Sequence, residues 1–105
     1  GEFVTGMNES AIGMALPIYP MILGAARLNP FGRKAVATSQ MFAPHEAREV
    51  GYFDQVVPAD RAETALEEAL THMKGLNAGA FNANKSAMNA QLIADIEASP
   101  LPDFG

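Results

Sequence analysis

The 105 residues carry 12 acidic and 7 basic side chains, a formal charge of -5, and no cysteine. The basic residues are scattered apart from the pair Arg33 and Lys34, so the clustered cationic face that binds nucleic acid is missing. Without cysteine there is neither a disulfide framework nor a thiol nucleophile, which suits a cytoplasmic protein, and His45 and His72 stand too far apart for a metal-ligand spacing. No metal site is expected.

Hydrophobic residues make up 49% of the chain and charged ones only 18%, against about a quarter charged in an average globular domain. A surplus of apolar surface on so short a chain points to an interface, with copies of itself or with a missing segment. The longest apolar stretch, Ala15 to Ala26, is broken by Pro17 and Pro20 and is too short to span a bilayer. The start lacks a charged region followed by an apolar run, so neither a membrane helix nor a signal peptide is expected. Outside a secretory context, the sequons at Asn8 and Asn84 carry no weight.

In chain order, Glu2-Phe3-Val4-Thr5-Gly6 alternates polar and apolar side chains and stops at glycine, which predicts a short strand. Pro17 and Pro20 break the apolar run after Ser10 and permit a restart with Pro20 in the first helical turn. Met21 to Leu28 then reads as a buried helix. Asn29 as N-cap with Pro30 at the first helical position starts a helix to about Gln40, and another is expected from Pro44 to a left-handed cap at Gly51. Tyr52 to Val57, aromatic and β-branched and closed by Pro58, is the second strand candidate.

Asp60 and Glu63 form a capping-box-like pair ahead of a helix whose face is marked by Ala62, Leu66, Ala69, Met73 and Leu76. After a bend at Gly75 to Gly79, a last helix carries Phe81, Lys85, Met88, Leu92 and Ile96 nearly in line, until Pro100 and Pro102 end it and an extended tail, Ser99 to Gly105, follows. The fold expected is mainly α with two short strands. Two strands some fifty residues apart make a poor sheet, a further sign that a segment is missing. Leu66, Leu70, Met73, Phe81, Met88 and Leu92 are expected in the core or in subunit contacts. The methionines read as core or interface filler, and His45 and His72 as surface or capping residues, since no nucleophilic serine motif accompanies them.

The run from Gly6 through Met7-Asn8-Glu9-Ser10-Ala11-Ile12-Gly13-Met14 to Pro17 resembles the segment of crotonase (enoyl-CoA hydratase/isomerase) family proteins in which a strand ends at a catalytic glutamate. The likeness continues in order through Ala26-Arg27-Leu28, Met41-Phe42-Ala43-Pro44, Glu46-Ala47 and Val50-Gly51-Tyr52-Phe53-Asp54-Gln55-Val56-Val57-Pro58. A weaker match at Ala80-Phe81 and Lys85 extends it to about Ser86. The resemblance implies the C-terminal half of the family's α/β spiral fold: residues 1–58 as the end of the core, and 59–105 as the helical oligomerisation segment.

What it implies chemically is a reaction on an acyl-CoA thioester through an enolate-like intermediate, with coenzyme A entering as part of the substrate and no separate cofactor. Glu9 matches the second of the family's two catalytic glutamates, and Lys85 is a candidate for the phosphates of coenzyme A. The first glutamate, both oxyanion donors and most of the coenzyme A cleft belong to the N-terminal half, expected to lie before Gly1, so this chain holds one catalytic element. Hydration and double-bond migration, and the acyl chain length, stay open. Read as an isolated residue, Glu9 is a helix cap or a solvated charge, with Ser10 equally able to cap, and Lys85 is a solvent-facing lysine. Two functions compete: a truncated acyl-CoA hydratase or isomerase, inactive alone, whose partners are acyl-CoA, its missing N-terminal half and its own copies; and a non-enzymatic, self-associating helical module derived from one.

Overall fold

The computed structural model describes residues 3–99. The start of the first expected strand at Glu2 and the tail from Pro100 on lie outside the described residues. A 3-10 helix at Glu9–Ile12 is followed by α1 (Ile18–Arg27), α2 (Pro30–Thr38), α3 (Pro44–Val50), a second 3-10 turn (Ala59–Arg61), α4 (Ala62–Lys74) and α5 (Ala78–Ala98).

The proline and asparagine signals act as expected. Pro17 stands at the N-cap of α1, with Pro20 inside its first turn. Asn29 caps α2 by accepting from the Gly32 N–H at 2.9 Å, with Pro30 at the first helical position. Asn29 also ties α2 to α3: its backbone N–H donates to the Val50 carbonyl at 2.9 Å and its Nδ2 to the Glu49 carbonyl at 3.1 Å. Gly51 ends α3 at φ 114°. A side chain there is excluded twice over, by the left-handed backbone and by the Arg27 carbonyl oxygen, 2.5 Å from where a Cβ would stand. The last helix is capped by Asn77, whose Oδ1 accepts from the Ala80 N–H at 2.9 Å.

The core sits between α2 and α3. Ala35 and Ala47 are almost fully buried, and the small side chains let the two helices approach closely over Phe42 and Val50, with Tyr52 and Phe53 packed on from the far side. The Phe42 and Tyr52 rings meet tilted at 46° with a 6.3 Å centroid separation, and Phe3 meets Phe53 edge-on at 6.5 Å. Each such aromatic pair adds about 0.5–1.5 kcal/mol beyond its burial.

Several expectations fail for identifiable reasons. Neither Phe3 to Gly6 nor Tyr52 to Val57 is a strand among the described residues: Thr5 makes a single antiparallel bridge, to Phe42, with both bonds at 2.8 Å. Strand propensity is a fit to a pleated, half-buried surface. With no ladder beside it, the Tyr52-Phe53 pair folds onto the helices instead. Asp60 does not cap α4, because it is consumed in the 3-10 turn after Pro58 and Arg61 occupies the cap position without a side-chain bond. The α2 helix stops at Thr38, since Ser39 turns left-handed at φ 59°. Gly79 lies inside the first turn of α5, so the bend is confined to Gly75 through Asn77.

The second half contributes nothing to the core. Leu66, Leu70, Met73 and Met88 are exposed, Met88 at 84%, and among the described residues α4 packs only on the 3-10 turn that precedes it, against none of the other α-helices. Phe81 and Leu92 are half-buried. Nor is α1 a buried helix in this chain: Met21 and Leu23 are exposed and Gly24 alone within it is buried. α5 docks on α1, where the Arg27 guanidinium donates to Asn89 Oδ1 at 2.9 Å. The accessible surface of 8053 Å² exceeds the about 5,700 Å² of a compact monomer of this size. The radius of gyration, 16.6 Å, likewise exceeds the about 13 Å expected. No helix among the described residues is long and apolar enough to cross a membrane.

Asn29→Ala removes the cap of α2 and one α2–α3 tie together, and is expected to cost about 1–2 kcal/mol in a urea melt. Asn29→Asp keeps an acceptor for the Gly32 N–H but cannot donate to the Glu49 carbonyl, and is expected to recover part of the loss.

Candidate active site

The segment that carries Glu9 is held at both ends. Thr5 is clamped to Phe42 by the two bridge bonds. Gly6 then passes so close to the chain after α2 that a Cβ would lie 2.8 Å from the Gln40 carbonyl oxygen and 2.9 Å from the Met41 sulfur. Glycine is required there by space, not by a left-handed backbone. Beyond Glu9, the Ala11 N–H donates to Ser39 Oγ at 2.9 Å, and the Met14 N–H closes back on the Glu9 carbonyl at 2.8 Å. Ser39 escaped the sequence reading; a left-handed serine has no pattern that announces it, and its role is visible only once α2 and the 3-10 helix are side by side.

Glu9 opens the 3-10 helix, and Asn8 before it makes no side-chain cap bond. Its carboxylate lines a groove of ≈ 670 Å³ between the 3-10 helix, α1 and α2, together with Met14, Leu16, Met21 and Val36. One of its oxygens, Oε2, is buried and has no hydrogen-bond partner among the described residues. Such a group is uncommon, because an unsatisfied buried acceptor costs about 1–3 kcal/mol and more when charged. The other ionisable group coupled to it is Tyr52: burial, and secondarily the Glu9 carboxylate, push the Tyr52 phenol above its usual range. Burial and a neighbouring negative charge both oppose the phenolate, so the two effects add.

Lys85 is elsewhere. Its ammonium stands 5.7 Å from the centroid of the Phe81 ring, one turn back on α5, within cation–π reach. It lines a second groove, of ≈ 540 Å³, with Arg27, Asn77, Asn84, Met88 and Asn89. The two sequence-derived site residues therefore occupy separate grooves, one walled by α1 and α2 and the other by the end of α1 and α5. His45 and His72 are both exposed. Among the described residues, no three histidine, aspartate or glutamate side chains come together in a metal-binding arrangement.

No family model matches the chain, and no curated protein does. Solved structures do. An enoyl-CoA hydratase/isomerase family protein from Pseudomonas syringae superposes with a TM-score of 0.90 at 27% identity, over 94% of this chain and 44% of that one. An enoyl-CoA hydratase from Mycobacterium marinum matches with a TM-score of 0.83 at 29% identity, over 93% and 44%. An enoyl-CoA isomerase from Mycobacterium tuberculosis gives 0.84 at 26% identity, over 92% and 43%. The chain thus spans less than half the length of the solved proteins it matches.

Glu9→Gln is expected to leave the melting temperature unchanged or slightly raised, since a buried oxygen without a partner is a cost to the fold. In an alkaline titration followed by tyrosinate absorbance, the same substitution is expected to lower the Tyr52 midpoint while leaving it above that of a free tyrosine, because burial remains. A phenol whose folded value is raised contributes its stability fully below the unfolded value of about 10 and loses that contribution as pH climbs through the folded one.

Proposed function

This chain belongs to the enoyl-CoA hydratase/isomerase family, and we propose that it supplies one catalytic carboxylate, Glu9, to proton transfer on an acyl-CoA thioester. The observation that carries the reading is the Glu9 side chain, which lines an apolar groove and has one carboxylate oxygen, Oε2, buried and unpartnered among the described residues. A carboxylate held by a clamped backbone, with a lone pair that no protein group satisfies, is poised to accept a proton from a bound molecule. In the reaction proposed, Glu9 exchanges a proton with the substrate while an enolate-like charge develops on the thioester oxygen. That charge needs oriented hydrogen-bond donors, which in this proposal come from the family's N-terminal half, along with the other glutamate and most of the coenzyme A cleft. Lys85, beside Arg27 in the second groove, is proposed to meet the phosphates of coenzyme A. A cytoplasmic setting belongs to the same proposal.

A second reading is favoured by α4. Its Leu66, Leu70 and Met73 form a stripe at helical spacing, each between 46% and 60% exposed. A self-associating module that buries this stripe needs no chemistry, and an enzyme assembled from several chains buries it equally. Sedimentation equilibrium at tens of micromolar is expected to give a mass above that of one chain. A monomer with a cooperative melt would remove both the module and the oligomeric enzyme.

Alone, the chain is expected not to hydrate crotonyl-CoA at an enzymatic rate. Loss of one oxyanion donor typically costs about a hundred- to a thousandfold, and most of the surface that would hold the thioester in an attack geometry belongs to the other half. The loss of crotonyl-CoA absorbance measures this, first with the chain alone and then with an N-terminal half from a full-length relative added. Turnover that appears on addition and vanishes in Glu9→Gln supports the assignment. Turnover by the chain alone that Glu9→Gln abolishes would show that it builds a complete site from its own copies.

A further inference from the structure

The groove that holds Glu9 has a second polar feature. Arg33 and Lys34, the one adjacent pair among the seven basic residues, both line it. They precede Ser39 by six and five positions on α2. Since Ser39 is bonded to the Glu9 turn, the helical rise of ~1.5 Å per residue sets the backbone of Arg33 and Lys34 about 8–9 Å back from Ser39 along the helix. Apart from Glu9, Ser10 and these two cations, the lining is aliphatic. Val36 and Ala37 continue the Arg33 face of α2 at helical spacing, Met21 and Ala25 line up one turn apart on α1, and Met14 and Leu16 come from the segment between the 3-10 helix and α1. Among the described residues no aromatic side chain lines this groove, so they offer no stacking surface to a base or a ring. Met14 and Met21, exposed at 58% and 50%, are flexible enough to mould to a chain.

We propose that this groove binds an aliphatic chain ending in a carboxylate, with the carboxylate on Arg33 and Lys34 and the chain running toward Glu9. The guanidinium fork matches a carboxylate bidentately and the ammonium adds a second charge. A mostly apolar cleft with a few convergent polar groups is the usual form of a small-molecule site. Polarity fixes the direction of binding: a carboxylate placed at the Glu9 end would meet a like charge, whereas at the α2 end it meets two opposite ones. The surrounding chain, at -5 overall, is otherwise inhospitable to an anion, so the attraction is local to the pair. Resting on the acyl-CoA reading above, the corresponding substrate class is a dicarboxylic acyl thioester, its far carboxylate on α2 and its reacting carbons nearer Glu9.

The test is a binding measurement on the whole chain by calorimetry, with octanoate as the probe and 1-octanol as its uncharged counterpart. Octanoate is expected to bind about tenfold more tightly, with an advantage that shrinks as salt is raised. In R33Q/K34Q, both at exposed positions, that advantage is expected to vanish while 1-octanol binding stays unchanged and circular dichroism confirms the fold. Equal affinities for the two probes, an advantage that survives the double substitution, or no binding of either would overturn the proposal. Neither probe is a thioester, so these outcomes are independent of the hydration assay. Octanoate binding that depends on Arg33 and Lys34, together with no activity in the assembled halves, would sink the enzymatic reading and leave the carboxylate site standing.

Discussion

Asn29 is the residue on which the packed half of this chain turns. Its side-chain oxygen holds the Gly32 N–H, its amide nitrogen holds the Glu49 carbonyl and its backbone N–H holds the Val50 carbonyl. One residue thus starts α2, ends the α1–α2 corner and anchors the last turn of α3. Remove these bonds and Gly32, packed under Val50, loses the partner that makes its missing side chain an advantage. Phe42 would lose its cover as well, and with it the bridge to Thr5 that fixes the approach to Glu9. The positioning of the carboxylate is therefore set twenty residues downstream, by a helix corner rather than by any neighbour in sequence.

Signals that act over a few residues were legible without coordinates. The Asn-Pro start of α2 and the glycine end of α3 both depend on one or two backbone angles and on a side chain that reaches no farther than its own turn. The Asp60 cap was misread for a related reason: Pro58 pre-sets a tight turn, and a turn of three residues shifts the helix start past the aspartate. The strands were misread for a different one. Alternation and β-branching describe what a segment does when a ladder is available, and the partner of Phe3 to Thr5 is one residue, Phe42. The same limit applies to the site. Glu9 was found through the matched run around it, whereas Ser39, Tyr52 and the two cations on α2 join it only through the packing of three separated elements.

The chain divides into a half that packs and a half that does not. α2, α3 and the Phe42 and Tyr52 rings form a core of modest depth, while α4 presents an apolar stripe to solvent and α5 touches the rest mainly through α1. Burying large apolar side chains is worth about 1.5–3 kcal/mol each, so Leu66, Leu70 and Met73 left exposed represent stabilisation not realised within one chain. The accessible area exceeds the compact expectation by more than 2,000 Å², well above the roughly 800 Å² that each partner buries in a standard interface. An excess of that size is a property of the whole surface, not of one stray side chain.

Function and association thereby fall on different faces. The groove of Glu9 is walled by the 3-10 helix, α1 and α2, elements held by the Asn29 corner and the Thr5 bridge, and none of its lining comes from α4 or α5. Burying the α4 stripe against another chain would leave that groove's walls in place. The second groove, with Lys85, depends instead on α5 staying docked to α1 through Arg27 and Asn89. That hydrogen bond is exposed, and an exposed bond contributes little net stability. The Lys85 groove is therefore the less secure of the two: any contact that draws α5 away from α1 dismantles it, while the carboxylate and the cations of α2 keep their spacing.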